Sequence, residues 1–222
     1  MATATYASTI TADSTLNKSD TTYTPDGGTA TVGNPVNNTF GTFWDFNNPN
    51  YSTEQAFFGF DLTAPTTGDA PTGGATITGV TLTLNLNSHG STEHPVEVYA
   101  YDWSTAVEAA DWRTVAQLAT LYSNALVASY TIPSGWGGAE GAHDFTSSGA
   151  AANSAVTSAI GGTLRLLITS SGLRNGSTPT DRGYASWVSA DSTTQADRPL
   201  LTITYTAPAV WSGLIVIRDV SS

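Results

Sequence analysis

Histidines and carboxylates are the side chains of this sequence with the chemistry that catalysis most often uses. The chain has three His, 18 Asp and Glu, and no Cys. His89 and His94 fall in a segment of turn-forming residues that we expect to be a loop, and neither has the neighbours of a serine hydrolase or a zinc site. Carboxylate pairs for glycoside hydrolysis can be proposed in any acid-rich chain, so their presence selects no mechanism. We therefore expect a protein that is not an enzyme.

Oxygen ligands for a metal ion are concentrated in one asparagine-rich segment. Asp45, Asn47 and Asn48 supply the carboxylate and amide oxygens that Ca²⁺ prefers. No defined calcium-loop motif surrounds them. A structural calcium ion is therefore an open alternative, and no other cofactor is expected.

Tryptophan and tyrosine are the side chains best suited to hold a carbohydrate, because a sugar offers apolar ring faces together with hydroxyl groups. The chain has six Trp and nine Tyr. Those next to turn-forming or asparagine-rich stretches are Trp44, Tyr51, Trp103 and Trp136. We expect these four to be the glycan contacts, with packing in the core as the general alternative for each.

Short runs that alternate apolar and polar residues must position these side chains. Residues 76–86, TITGVTLTLNL, are typical of a strand with one buried face. Similar runs occupy residues 3–10, 39–46, 55–62, 96–101, 125–132, 163–169, 184–190, 200–205 and 214–217. Helical spacing appears only in residues 107–121 and 147–160. The pattern predicts an all-β fold, an antiparallel jelly-roll sandwich with one or two short helices.

The last residues form a separate apolar segment after the final sandwich strand. We expect residues 1–206 to form the jelly-roll sandwich and residues 207–222 to be a C-terminal arm. The apolar side chains of this arm are Trp211, Leu214, Ile215, Val216 and Ile217. One interpretation is a strand that adds to the sheet edge of a partner, for anchoring or assembly. The alternative is one more core strand.

Charge excludes two classes of partner. Seven basic residues against 18 acidic ones give a net charge of −11, which repels nucleic acid and anionic membrane surfaces. No secretory leader and no apolar stretch long enough to span a membrane is apparent. These features favour a virion protein assembled in the host cytoplasm, with a secreted mature protein as the alternative.

Several motifs resemble one known family. They are FFGFDL at residues 57–62, ATITGVTLTL at 75–84, VEVYAY at 96–101, GAHDFT at 141–146 and DRPLLTITY at 197–205. Their order resembles the DNRLRE-type domain, a jelly roll similar to carbohydrate-binding modules and found in phage virion and bacterial surface proteins. The resemblance implies a domain used for adhesion, glycan binding or assembly.

Taken together, these features predict a non-catalytic structural protein of a bacteriophage virion. It would be a capsid decoration or auxiliary head protein, or a tail-associated adhesin that contacts host glycans. The expected partners are other virion proteins, such as the major capsid protein, and further copies of this chain as a homo-oligomer. The alternative is a carbohydrate-binding module of a secreted bacterial polysaccharide-degrading enzyme.

Overall fold

The computed structural model describes residues 1–8, 14–33, 39–47, 49–135, 140–147 and 149–208. The strands are β1 Ala2–Ala7, β2 Ser14–Asp20, β3 Thr31–Gly33, β4 Thr39–Asn47, β5 Asn50–Asp61, β6 Thr76–His89, β7 His94–Ala100, β8 Leu126–Ile132, β9 Gly141–Ser147, β10 Thr163–Ser170, β11 Arg182–Val188 and β12 Leu200–Thr206. The helices are α1 Val115–Ala125, α2 Ala150–Ala159 and α3 Ser171–Arg174, with 3-10 turns at Ala109–Asp111 and Gln195–Asp197. The prediction of an antiparallel all-β sandwich with few helices is confirmed.

The strands form two layers. In the first layer, β5 pairs with β2 on one edge and with β10 on the other, and β10 continues through β7 to β8. In the second layer, β6 pairs with β12 and then with β11, which leads to β4, while β1 lies outside β12. The β4–β5 hairpin joins the layers at one corner, and β9 joins β8 to β6 at another. The fold therefore brings β2, β4 and β5 together at one end.

The main core lies between the two layers. Strand β5 contributes Ala56, Phe58 and Phe60, which are fully buried. The facing layer supplies residues of β6 and Trp187 of β11, whose ring meets that of Phe145 at 5.4 Å. Alternation explains this arrangement, because every second residue of a strand points to the same face.

A second, smaller core covers the outer face of the first layer. Phe57 and Leu167, whose strand neighbours face the main core, pack here with Leu118 of α1. Thr114 begins α1 as its N-cap, accepts a hydrogen bond from the Gln117 backbone N–H, and forms a capping box with that residue. The helix is thus fixed over a sheet face that would otherwise be exposed.

Several sequence predictions differ from the structure in detail. Strands β2, β3 and β9 were not predicted as strands, and the helix expected over residues 107–121 begins at Val115. The expected loop position of the two histidines is wrong, since His89 ends β6 and His94 begins β7. The arm at residues 209–222 lies outside the described residues. Within the described part of the chain, no helix is long and apolar enough to cross a membrane.

Candidate functional site

Four aromatic side chains meet where the β4–β5 hairpin approaches the loop between β2 and β3. The hairpin register pairs Trp44 with Thr53 and Phe46 with Tyr51. The side chains of Trp44, Phe46 and Tyr51 therefore lie on the same face of the hairpin. The rings of Phe46 and Tyr51 are 4.7 Å apart, and Tyr23 from the loop lies 5.7 Å from Tyr51. We call Tyr23, Trp44, Phe46 and Tyr51 the aromatic face.

A cavity of about 200 Å³ opens beside this face, between the loop and the end of β5. Tyr23 and Tyr51 form part of its wall. Hydroxyl-bearing residues form much of the rest: Ser19, Thr22, Thr24, Thr29 and Thr53. We call this cavity the β2–β3 groove. It combines aromatic surface with many hydrogen-bonding groups, which is the chemistry that a sugar ring requires.

Local contacts hold the β2–β3 loop in place. Lys18 Nζ donates a hydrogen bond to the Gly27 carbonyl at 2.8 Å and lies 4.5 Å above the Trp112 ring. Burial lowers the pKa of Lys18, and the nearby Asp26 partly offsets this change. Asp26 also accepts a hydrogen bond from the Val115 backbone N–H at 2.7 Å, which ties the loop to the start of α1. The groove is therefore preorganised by the protein itself.

Tyr23 is a hydrogen-bond donor over the whole physiological pH range. Burial raises the pKa of its phenol to about 12, and the Trp44 side chain offsets the rise. The phenol thus stays protonated at neutral pH. The hydroxyl oxygen of Tyr23 is itself buried, so Tyr23 contributes to the groove wall mainly through its ring.

The predicted glycan contacts have different positions in the structure. Trp44 and Tyr51 are half-buried members of the aromatic face, and the Trp44 indole donates a hydrogen bond to the Ser177 carbonyl at 2.8 Å. Trp103 is only 3% exposed and packs in the second core under the Arg165 guanidinium. Its ring therefore serves packing and is not available to a sugar. Trp136 lies outside the described residues.

Of the predicted calcium ligands, the structure describes Asp45 and Asn47. Asp45 is buried, and it pairs in register with Arg182, whose positive charge would oppose the binding of a cation there. Burial raises the pKa of Asp45 despite that guanidinium. Asn47 is exposed, and Asn48 lies outside the described residues. In the described ranges, no three His, Asp or Glu side chains are grouped as metal ligands.

The two strand-end histidines are buried rather than exposed in a loop. His94 is fully buried, and its Nε2 lies 3.1 Å from Thr42 Oγ1. Burial lowers the pKa of His94 to about 4, so the ring is neutral at neutral pH. His89 is 3% exposed, and its Nδ1 lies 2.9 Å from the Gly90 carbonyl. Both residues belong to the packed end of the sandwich.

Tyr23 and Phe46 are members of the site that sequence analysis did not select. Tyr23 precedes residues 25–28, PDGG, which are typical of a turn, but the sequence alone does not connect it with Tyr51. That connection depends on the pairing of β2 with β5, which aligns Asp20 with Tyr51. The unrecognised strand β2 thus concealed the position of Tyr23, whereas Phe46 lies in residues 39–46, which were predicted to be a strand.

Comparison with known proteins supplies no family assignment. No protein-family model matches the chain, and no curated protein matches it. The resemblance to DNRLRE-type domains therefore stays a prediction. The function has to be argued from the site.

Proposed function

We propose that this protein is a non-catalytic β-sandwich that binds carbohydrate at the aromatic face and acts as a structural protein of a bacteriophage virion. Its place would be on the head, as a decoration or auxiliary protein, or on the tail as an adhesin. The observation that carries the binding role is the contact of Tyr23 with Tyr51 along a hydroxyl-rich groove. Aromatic faces beside hydroxyl and backbone groups satisfy both sides of a sugar ring.

The virion role is supported by composition. Only 11% of the residues are charged, and the chain has no Cys. The apolar segment at residues 210–217, VWSGLIVI, is suited to pairing with a neighbouring subunit or with another virion protein. We propose that this segment anchors the sandwich while the aromatic face remains accessible.

Carbohydrate binding is tested with an array of immobilised bacterial surface polysaccharides and plant polysaccharides. The wild-type chain is expected to bind a subset, and Tyr51→Ala is expected to reduce that binding about tenfold or more, as the loss of one stacked ring predicts. Tyr184→Ala is the matched control, because Tyr184 is also half-buried and contacts one aromatic ring, that of Phe43, outside the aromatic face. If the wild type binds none of the polysaccharides on the array, the proposed binding role is overturned.

The anchoring role is tested by light scattering. The full chain is compared with a truncation after Pro208, which keeps every described strand. An oligomer that becomes a folded monomer on truncation supports assembly through the arm. If both proteins are monomers, a virion role through self-assembly is contradicted.

A second candidate function uses the same groove. A carbohydrate-binding module of a secreted polysaccharide-degrading enzyme would also present half-buried aromatic rings beside hydroxyls. Binding to plant polysaccharides by a monomer favours this alternative. Binding to bacterial surface polysaccharides by an oligomer favours the virion protein.

A further inference from the structure

Tyr122 stands apart from the other aromatic side chains whose burial the structure describes. It is 44% exposed, whereas those side chains are half-buried or buried. It lies near the C-terminal end of α1, and the Arg174 guanidinium lies 4.0 Å from the centre of its ring. The aromatic ring therefore has one face covered by a cation and a large remaining surface in solvent.

Arg174 is fixed beneath this ring by a buried acid. Its Nε and Nη2 bind the two carboxylate oxygens of Glu97 at 2.7 and 2.8 Å, and Tyr99 donates its hydroxyl to the same carboxylate. The third nitrogen, Nη1, donates to Asn175 Oδ1 at 2.8 Å. Each guanidinium nitrogen thus has a partner within the protein.

The cost of this arrangement points to a role beyond stability. Burying an ion pair requires desolvation of both charges, and apolar residues of similar volume often stabilise a fold equally well. What the ion pair adds here is geometry, because it holds the guanidinium 4.0 Å from the centre of an exposed ring. A ring held in this way loses little freedom when a ligand stacks on it.

The platform formed by Tyr122 and Arg174 is connected to the aromatic face through the segment that follows α3 and through the start of α1. The chain after Arg174 passes Gly176, where an added Cβ would lie 3.5 Å from Val115, and then Ser177, whose carbonyl accepts the Trp44 hydrogen bond. Val115 in turn binds Asp26 of the β2–β3 loop. Tyr122 lies seven positions after Val115 along α1, a distance of about 10 Å at the rise of an α-helix.

The charges along this path select a neutral ligand. Arg174 is neutralised by Glu97, and Lys18 is engaged with the Gly27 carbonyl close to Asp26. The chain as a whole has a net charge of −11. An acidic polysaccharide would meet the carboxylates of Asp20 and Asp26, and the described cations along this path, Lys18 and Arg174, already have partners.

We infer that Tyr122 is a second stacking platform, and that the ligand is an extended neutral oligosaccharide which runs from the β2–β3 groove across the α1–α3 junction to Tyr122. This inference rests on the proposed carbohydrate binding. It adds the class of ligand and its length, since a disaccharide in the groove would leave Tyr122 uncovered, whereas a longer chain would reach it.

Calorimetric titration with unbranched, neutral oligosaccharides tests the inference. The probes are disaccharides and hexasaccharides of β-1,4-linked glucose, xylose and mannose and of α-1,4-linked glucose. The wild type is expected to bind one hexasaccharide about fivefold to tenfold more tightly than the matching disaccharide, the gain that one stacked ring supplies. Tyr122→Ala is expected to remove this gain and leave disaccharide binding unchanged, whereas Tyr122→Phe keeps it.

Ser123→Ala is the control on the same helix, because the Ser123 hydroxyl donates only to the Ala119 carbonyl of α1. Equal affinity for both lengths, or a hexasaccharide gain that survives in Tyr122→Ala, overturns the inference and leaves the proposed function standing. If none of the oligosaccharide probes binds and the wild type also binds no polysaccharide on the array, both the inference and the proposed carbohydrate binding are overturned. A hexasaccharide gain lost in Tyr122→Ala and retained in Ser123→Ala supports the second platform.

Discussion

At the scale of single residues, two ion pairs in the described part of the chain have very different environments. Arg174 and Glu97 have side chains that are 18% and 8% exposed, whereas Asp102, the partner of Arg165, is 80% exposed. A buried charge that loses its partner keeps its desolvation cost, while an exposed charge regains water. The same type of contact thus has unequal consequences for stability.

Arg174→Ala is expected to lower the free energy of unfolding by about 3–5 kcal/mol, because Glu97 would remain buried without its counter-ion. Urea denaturation followed by circular dichroism measures the change. Asp102→Asn is the control and is expected to change stability by less than about 1 kcal/mol. Similar losses in the two variants would contradict the account of the buried pair.

Glu54 gives a prediction about pH. It is 7% exposed, and burial raises the pKa of its carboxyl from 4.5 to about 7, with a small opposite effect from Thr15. The folded protein therefore binds the proton more tightly than the unfolded chain does. The stability that Glu54 supplies in its protonated form is full below pH 4.5 and is lost as the pH rises through 7.

Glu54→Gln removes this dependence. The variant is expected to gain up to about 3 kcal/mol relative to wild type above the raised pKa, at about 1.4 kcal/mol per pKa unit. Denaturation at a series of pH values measures the difference, with Glu93→Gln as an exposed control. A difference that stays constant with pH would show that Glu54 titrates normally.

The contribution of His94 to stability changes with pH in the opposite direction to that of Glu54. Burial lowers its pKa from 6.5 to about 4, so the unfolded chain binds the proton more tightly. Its contribution to stability is present above pH 6.5 and is lost as the pH falls through 4. Between these limits, Glu54 and His94 change the unfolding free energy with pH in opposite directions. Variants of the single residues are therefore more informative than the pH profile of the wild type.

His94→Asn is expected to flatten the acid side of the stability profile between about pH 4 and 6.5. The variant loses stability at neutral pH because the Thr42 contact and ring packing are weakened. The test is the change of its unfolding free energy with pH, compared with that of wild type. A parallel profile would contradict a neutral buried histidine.

At the scale of elements, α3 is a short helix held by one close contact. The backbone N–H of Gly172 binds Ser170 Oγ at 3.0 Å, and the residue packs directly on the Trp44 indole. A Cβ at position 172 would lie 2.5 Å from two atoms of that indole. Glycine here allows α3 and β4 to approach each other, which positions both Trp44 and Arg174.

Gly172→Ala is expected to destabilise the protein by about 1–3 kcal/mol, the usual cost of overpacking, and to displace the Trp44 ring. Thermal unfolding measures the loss, and a shift of the Trp44 indole N–H resonance reports the displacement. Gly73→Ala is the control, because an added Cβ there has no neighbour within 4 Å. Wild-type behaviour of Gly172→Ala would mean that the contact is looser than described.

Element predictions succeeded where one face of a strand is fully buried. Strand β6 alternates over most of its length, and its sequence pattern alone located it. Strand β2 has the sequence STLNKSD, in which Leu16 packs in the second core while most neighbours are polar, so no apolar alternation distinguishes it from a loop. The second core is therefore what the sequence could not reveal.

The candidate site was only partly predictable from the sequence, because the burial and contacts of its side chains depend on elements that are distant in sequence. Trp44 and Tyr51 could be selected because they flank an asparagine-rich turn, whereas the burial of Trp103 depends on strands that are distant in sequence. Tyr122 directly follows residues 107–121, which were predicted to be helical, and no role was predicted for it. Its importance depends on Arg174, which reaches it only through the packing of α3 on β7 and α1.

At the scale of the whole molecule, the β2–β3 groove and the aromatic face lie together at one end of the sandwich. The net charge of −11 keeps polyanions away from this surface. Binding of a neutral polysaccharide depends instead on stacking and hydrogen bonds. Its affinity is therefore expected to change little with salt concentration, and a steep salt dependence in titrations would contradict the proposed ligand class.

The central claim is that a neutral carbohydrate binds at the aromatic face. The most direct test is an NMR titration of the full chain with a polysaccharide fragment that binds on the array, following the ring and indole N–H resonances. The account predicts shifts at Tyr23, Trp44 and Tyr51, with those of buried Trp103 and Trp187 unchanged. Shifts confined to other residues, or no shifts at saturating concentration, would contradict it.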